Sequence, residues 1–462
     1  MAIKFGTDGW RAVIAQDYTF DNVKILSQGV ADYLKQKKGR RVVIGYDRRF
    51  LSKEFAQTAA TVLAANGLKV VLSDSDVPTP AVSFVCRYSG YDLGVMITAS
   101  HNPAKFNGYK LKTKEGGSAD QSVTNAVEKL LYKSKVKELD LNQAVKAGKI
   151  KIVDLTKGYL DFFKKYVDLT AIRKLKLKVL VDTMWGTGSN YVERVLGRCG
   201  VKVDYLHNGF NPGFEGISPE PVETNLKELM ARVKRGGYDM GVCLDGDADR
   251  IAMVDSSGNY VNAQAILPLL ALHMIKNRKS PGGIAKTVVG TNSIDALALE
   301  LGVACYETPV GFKYISSLFQ QDLIAIGGEE AGGIGYRGYI PERDGSMSFL
   351  LVLEMMAREK KTFDRLLAEL YKKYGRWYYS RTSVPVKSLK KGIEALKLPA
   401  ALLGKKVERV NQLDGIKLIT ASSWLMFRAS GTEPIVRVYA ESLRQTESNR
   451  LMQLGKKMIY DL

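Results

Sequence analysis

The sequence predicts an α/β protein: three related mixed α/β domains with doubly wound sheets, followed by a smaller C-terminal α+β domain, arranged around a central cleft. Three observations predict it. An apolar-run, helix, glycine, apolar-run unit recurs three times. Each copy is followed by a further apolar run that enters a polar or Gly-rich loop. The last ~90 residues abandon that rhythm, in a chain whose 462 residues suffice for three domains or more at roughly 150 residues each.

The first copy begins at Val42-Val43-Ile44, continues through Gly45-Tyr46-Asp47 and an Ala/Leu-periodic stretch, and closes with Gly67 and Val70-Val71-Leu72. The second reads Val179-Leu180-Val181, Asp182, Gly186 and Gly188, a helix, then Gly200 and Val201 to Leu206. The third is shorter: Thr287-Val288-Val289-Gly290, a helix through Leu301, Gly302, then Val303 to Tyr306. A glycine after a helix suits the left-handed C′ position. Apolar strands alternating with helices indicate parallel pairing with both faces covered. The extra strands are Leu93 to Ile97, Met240 to Leu244 and a run at Asp322 to Ile326. Ligands of open α/β sheets bind beyond the carboxyl ends of strands, so three matching loops should face one cleft. The final segment predicts a strand at Trp377 to Val386, a Leu/Lys helix around 388–402, and a strand–loop–strand around Arg428 to Tyr439. The domains are expected at 1–153, 154–258, 259–372 and 373–462.

Composition narrows the function classes. Hydrophobic residues make up 45% and charged residues 25%, which excludes a disordered or fibrous chain. Cys86, Cys199, Cys243 and Cys305 stand singly, without CxxC spacing, against a disulfide scaffold or thiolate zinc site. They fit a reducing compartment, and no apolar leader follows Met1, so a cytoplasmic location is expected. The longest apolar stretch, Ile266 to Ile275, is about half of what spans a membrane. Formal charge is +20, distributed as +14 over residues 1–200, −5 over 201–350 and +11 over 351–462. The Lys/Arg clusters are short, as at Lys37-Lys38-Gly39-Arg40-Arg41, without a basic tail or interleaved aromatics. They read as a solvated surface, and no specific nucleic-acid partner is expected. A polyanion-binding protein is the alternative from another class.

Four loops carry chemistry. Thr98-Ala99-Ser100-His101-Asn102-Pro103 presents a serine, a nucleophile when its environment activates it. Asp245-Gly246-Asp247-Ala248-Asp249-Arg250 places alternating carboxylates on a tight turn, able to converge on a hard cation such as magnesium. It lacks the twelfth-position Glu of a calcium loop, since Ser256 stands there. Gly327-Gly328-Glu329-Glu330-Ala331-Gly332-Gly333 offers acceptors for sugar hydroxyls. Arg428-Ala429-Ser430-Gly431-Thr432-Glu433-Pro434 gathers guanidinium, hydroxyl and backbone donors that suit a phosphate dianion. Two further turns carry cations: Phe5 to Arg11, and Pro309-Val310-Gly311-Phe312-Lys313. An aspartyl-nucleophile phosphatase would use Asp245 and Asp247 but leave the serine and phosphate loops unexplained.

Taken together, the four loops resemble the α-D-phosphohexomutase family, which includes phosphoglucomutases and phosphomannomutases; the resemblance covers essentially the whole chain. It implies a phosphoserine at Ser100 and magnesium held by Asp245, Asp247 and Asp249 with a phosphoserine oxygen. It also implies Lys110 as acid/base, His101 as the alternative proton carrier, and Arg11 and Arg250 as charge-neutralising cations. Arg428, Ser430, Gly431 and Thr432 would hold the non-reacting phosphate, Glu329 the sugar hydroxyls, and Lys313 would contact substrate. A lowered pKa is expected for a buried Lys110 among cations. The implied reaction interconverts hexose 1-phosphate and 6-phosphate through a hexose 1,6-bisphosphate, in a monomer or homodimer. The sugar loop departs from the family at Ala331, where a serine is common, and at Gly333, where some relatives have histidine. Glucose phosphate is the favoured substrate, mannose phosphate the next, and phosphoglucosamine the third.

Overall fold

The computed structural model describes residues 3–197, 199–386, 393–430 and 434–461. Four principal sheets account for most of the strands among them. The first has the order Trp10–Val13, Phe106–Thr113, Leu93–Ile97, Arg41–Tyr46, Lys69–Ser73, Ile150–Val153. Its last four strands are parallel, and the first two are antiparallel additions at one edge. The second has Leu177–Asp182 parallel to both Val201–Leu206 and Met240–Leu244. Ile251–Val254 and Tyr260–Val261 extend it antiparallel, so this sheet runs three residues past position 258. The third places Gly283–Thr287 between Cys305–Thr308 and Ile324–Gly328, all parallel, with Ile334–Tyr336 antiparallel at the edge. The fourth is antiparallel throughout: Tyr378–Pro385, Ile435–Ser442, Ser423–Ala429, Ile416–Thr420, Arg409–Asn411.

The mixed α/β expectation therefore holds, and each antiparallel edge has the same cause. The chain leaves the parallel strand that carries a site loop and returns directly alongside it, as Leu93–Ile97 returns through Phe106–Thr113. A direct return can only be antiparallel, because parallel pairing needs a crossover. Helix ends follow the glycine reading at Gly67 (φ +85°) and Gly302 (φ +64°), both left-handed. At the second copy the reading moves. The helix Tyr191–Leu196 ends on Gly197 (φ +60°), not on Gly200. Gly200 is required by space instead, since a Cβ there would lie 2.0 Å from the Leu175 carbonyl oxygen.

Two further expectations change. Val288-Val289-Gly290 is not a strand; the strand ends at Thr287, and the two valines pack against Trp424, Met426 and Tyr439 of the fourth domain. Their apolarity thus reflects a contact between domains rather than sheet burial. Residues 388–392 of the Leu/Lys helix lie outside the described residues, and the remainder forms a 3-10 turn at Ile393–Ala395 and a short strand at Ala401–Leu402. The helix that covers the fourth sheet is Gln445–Tyr460, which the sequence reading did not single out.

One apolar core crosses the first three domains, joining Phe84, Tyr159, Tyr191, Leu244, Tyr339 and Leu351. Buried Asp344 sits in it, accepting from the Tyr159 hydroxyl at 2.8 Å and the Tyr339 hydroxyl at 2.9 Å, and capping the helix Gly345–Glu359. Burial pushes its carboxyl up to about 7. The apolar stretch at 266–275 is a buried core helix, Ala263–Leu272; no helix among the described residues is long and apolar enough to cross a membrane.

Candidate active site

The loop after strand Leu93–Ile97 is built around an arginine that the sequence reading passed over. Arg49 is buried, and its guanidinium donates to four backbone carbonyls of one loop: Ser100 (2.5 Å), Asn102 (2.7 Å), Pro103 (3.0 Å) and Phe106 (3.1 Å). Asp47 balances its charge at 3.1 Å and accepts from Thr98 and Ser52, both at 2.6 Å. Thr98 Oγ1 in turn accepts from the Ser100 amide at 2.8 Å. Ser100 is held at φ +54°, a left-handed conformation costing a non-glycine residue about 1 kcal/mol or more. The surrounding hydrogen bonds over-determine it. The signal was present as Asp47-Arg48-Arg49 at the end of a strand, but only folding brings that turn beside the serine.

Ser100 Oγ donates to Asp245 Oδ2 at 3.0 Å and lies 3.4 Å from His101 Nδ1. Burial, then Arg250, Arg11, Arg381 and Lys110, depress the His101 pKa well below its ordinary value, so the imidazole is neutral. Arg11 reaches the same loop, donating to Asn102 Oδ1 at 2.6 Å.

The aspartate loop follows strand Met240–Leu244, and all three carboxylates are fully buried. One oxygen from each lies within 4.8 Å of the others. Gly246 lets this loop touch the serine loop, because a Cβ there would fall 2.6 Å from the Ser100 carbonyl oxygen. Asp247 Oδ2 accepts from Thr79 Oγ1 at 2.5 Å and from Lys110 Nζ at 2.9 Å. Asp249 Oδ2 faces Lys110 at 3.4 Å and Arg343 at 2.8 Å. The other oxygens, Asp247 Oδ1 and Asp249 Oδ1, are buried without a hydrogen-bond partner. Buried unpaired carboxylate oxygens are costly, and a divalent cation would satisfy them. Burial, then Asp249 and Asp247, push the Asp245 carboxyl well above its ordinary range. Burial also pushes Asp247 up, but Lys110 and the bonds from Thr79 and Lys110 outweigh it and hold Asp247 low. The residues present fit a hard divalent cation with oxygen ligands.

The expected lowering of the Lys110 pKa is reversed. Burial alone would lower it, but Asp247, Asp8 and Asp249 outweigh that, and the ammonium is stabilised. Its Nζ is 2.9 Å from Asp8 and 2.9 Å from Asp247. The lysine sits among carboxylates rather than cations. Arg250 lines the same pocket, with its Nε 3.8 Å from Asp249 Oδ1 and 4.0 Å from Asp245 Oδ2.

Glu329, at the end of strand Ile324–Gly328, is buried and accepts from Arg343 at 3.1 Å. Burial raises its pKa, partly offset by Arg343. Its neighbour Glu330 instead accepts from Thr287 at 2.9 Å. Lys313 is not brought to the aspartates; its Nζ donates to Gln121 at 3.3 Å and lies over the Tyr314 ring. Arg428 Nε donates to Asp414 Oδ2 at 2.8 Å, and that oxygen also accepts the Val310 amide at 2.9 Å, tying the fourth domain to the third. Ser430 is buried, and its amide donates to the Ile435 carbonyl. Gly431 and Thr432 lie outside the described residues. Across the cleft Arg381 of the fourth sheet pairs with Glu220. Sequence reading missed Arg381, Asp8 and Arg343 as well as Arg49; each is an ordinary charged residue locally and gains its meaning from a partner in another domain.

Known proteins match the chain along its length. The families described as Phosphoglucomutase/phosphomannomutase, alpha/beta/alpha domains I, II and III and C-terminal domain match residues 2–138, 157–258, 262–374 and 382–453. A phosphoglucomutase/phosphomannomutase of Thermococcus kodakarensis is 31% identical over 98% of both chains. A phosphoglucosamine/phosphogalactosamine mutase of Sulfurisphaera tokodaii is 30% identical over 98% of both. A crystal structure from Thermus thermophilus, described as a phosphomannomutase, superposes with a TM-score of 0.89 at 32% identity, covering 100% of this chain and 99% of that one. With four domain families matched in order around one serine and one aspartate triad, the chain belongs to the phosphoglucomutase/phosphomannomutase family and is a phosphohexomutase, an isomerase.

Proposed function

We propose that the enzyme interconverts hexose 1-phosphate and hexose 6-phosphate, with glucose phosphate as its preferred substrate and mannose phosphate next. The observation that carries this reading is the contact of Ser100 Oγ with Asp245 at 3.0 Å, inside a carboxylate triad that fits a divalent cation. Asp245, Asp247 and Asp249 would hold magnesium, which, when bound, neutralises charge on the transferring phosphoryl group.

Ser100 would carry the phosphoryl group. Its P–O bond breaks as a new P–O bond forms to the free sugar hydroxyl, and the hydroxyl proton is replaced by one delivered to the serine oxygen. A loose transition state leaves the protein mainly to position groups and neutralise charge. Arg11 and Arg250 serve the second task. Lys110, held as an ammonium ion, is suited to donate a proton, and neutral His101 to accept one. The resulting bisphosphate turns over, and its other phosphate returns to Ser100. Arg428, Ser430, Gly431 and Thr432 would grip whichever phosphate is not reacting, and Glu329 would accept from sugar hydroxyls in either orientation.

Kinetics on glucose 1-phosphate, mannose 1-phosphate and glucosamine 1-phosphate side by side test the reading, because the ratio of kcat/KM values measures specificity. The glucose substrate should give the highest value; a highest value for glucosamine 1-phosphate would reverse the preference.

A further inference from the structure

Arg343 lies in the loop between strand Ile334–Tyr336 and helix Gly345–Glu359. Its buried guanidinium meets four carboxylates from two domains and the N-terminal loop. NH1 is 3.1 Å from Glu329 Oε2, NH2 is 2.8 Å from both Asp249 Oδ2 and Asp8 Oδ2, and Nε is 3.3 Å from Glu342 Oε1. Such a cluster would be overcharged were it not shared. Lys110 also pairs with Asp8 and Asp249, and Lys112 pairs with Glu342 at 2.5 Å.

The stem of Arg343 explains a feature of the sugar loop. A Cβ on Gly333 would lie 2.1 Å from Arg343 Cδ and 2.7 Å from Cγ. Gly333 is not among the residues with positive φ, so its backbone does not demand glycine. What demands it is space: the arginine passes through the volume that a side chain at 333 would fill. The glycine that, read in sequence, removes a group from the cleft instead admits one from ten residues further along.

We propose that Arg343 is a positioning residue that fixes Glu329 and Asp249 on one rigid guanidinium, so that the sugar-hydroxyl acceptor keeps a set distance from the metal-ligand triad, with Gly333 as the space that permits it. The proposal rests on the reading of Glu329 as the sugar acceptor. A guanidinium suits the task because its donors are fixed in one plane; a lysine ammonium has no such fork. A shift of an ångström between sugar and phosphoryl group is enough to cost a large part of the rate.

The test is a double-mutant cycle read by binding rather than turnover. Ser100→Ala enzyme with magnesium is titrated calorimetrically with glucose 1-phosphate, alone and with Arg343→Met, Glu329→Gln or both. Each single change should weaken affinity about 10-fold, and the double change should add less than about threefold to either, because residues acting as a unit are non-additive. Losses that multiply to about 100-fold would overturn the proposal while leaving Glu329 as a sugar contact. No loss from Glu329→Gln alone would overturn the sugar-loop reading and this proposal with it. Gly333→Ala displaces the arginine without deleting it and should reproduce the Arg343→Met loss; unchanged affinity there overturns the proposal, even if Arg343→Met does not fold. In the turnover-competent enzyme Arg343→Lys should raise KM at least as much as it lowers kcat, and a fall confined to stability would count against a positioning role.

Discussion

Ser100 and Asp245 are 145 residues apart and belong to different sheets, yet the serine Oγ donates to the aspartate Oδ2 at 3.0 Å. The contact joins the nucleophile to the metal-ligand set before any ligand arrives. Replacing Ser100 with alanine should therefore remove activity by roughly 10³-fold or more, as loss of a nucleophile does, while the melting temperature stays near that of the parent. Stopped turnover assays and calorimetry on the purified variant check both halves; near-parental kcat would end the phosphoserine mechanism.

Gly246 sets the distance between the two loops. A methyl group there would meet the Ser100 carbonyl at 2.6 Å, against backbone rather than a yielding side chain. Gly246→Ala should cost about 1–3 kcal/mol of stability, the usual range for overpacking. It should also lower kcat more than the same substitution at Gly209, where a Cβ meets nothing within 4 Å. Denaturant titration and steady-state kinetics on the two variants make the comparison.

The orphaned oxygens of Asp247 and Asp249 predict that the divalent ion stabilises the fold as well as serving the reaction. Magnesium at 100 times its Kd should raise stability by about 2.7 kcal/mol over EDTA-treated protein, by mass action. Asp247→Ala should abolish most of that gain and most of the activity. A melting temperature indifferent to magnesium in the parent enzyme would contradict the assignment.

A buried lysine far from the serine predicts a pH effect. Lys417 donates to the Val288 carbonyl at 2.6 Å, across the boundary between the third and fourth domains. Burial, then Lys286, lowers its pKa to about 8. Between pH 8 and the ordinary lysine value the unfolded chain holds a proton that the folded chain does not, so this lysine makes stability rise with pH over that window. The effect is on the order of 3 kcal/mol in total. Subtracting the stability profile of Lys417→Met from that of the parent should isolate the rise; a flat difference from pH 8 to 10 would refute it.

The four site loops were legible because each sits in a short stretch whose residue types already carry the chemistry. Thr98 to Pro103 and Asp245 to Arg250 follow apolar strands, and strand ends are where such sheets place their ligands. Even so, Lys313 was drawn into the cleft by sequence position alone and instead faces Gln121. Lys110 was placed among cations and is surrounded by Asp8, Asp247 and Asp249.

What the amino-acid sequence determined by itself is local: the recurring strand–helix units, the left-handed glycines at 67 and 302, and which loops hold a nucleophile or a carboxylate triplet. These depend on neighbours within a few residues, through periodicity and backbone conformation. The tertiary structure alone decided the electrostatics. Arg49 serves the serine loop, Arg343 spans the sugar and aspartate loops, and the sign of the Lys110 shift follows from three carboxylates on two domains. The reason is that Coulomb energy and desolvation depend on distance in space, and distance between residues far apart in the chain is set only when the domains pack.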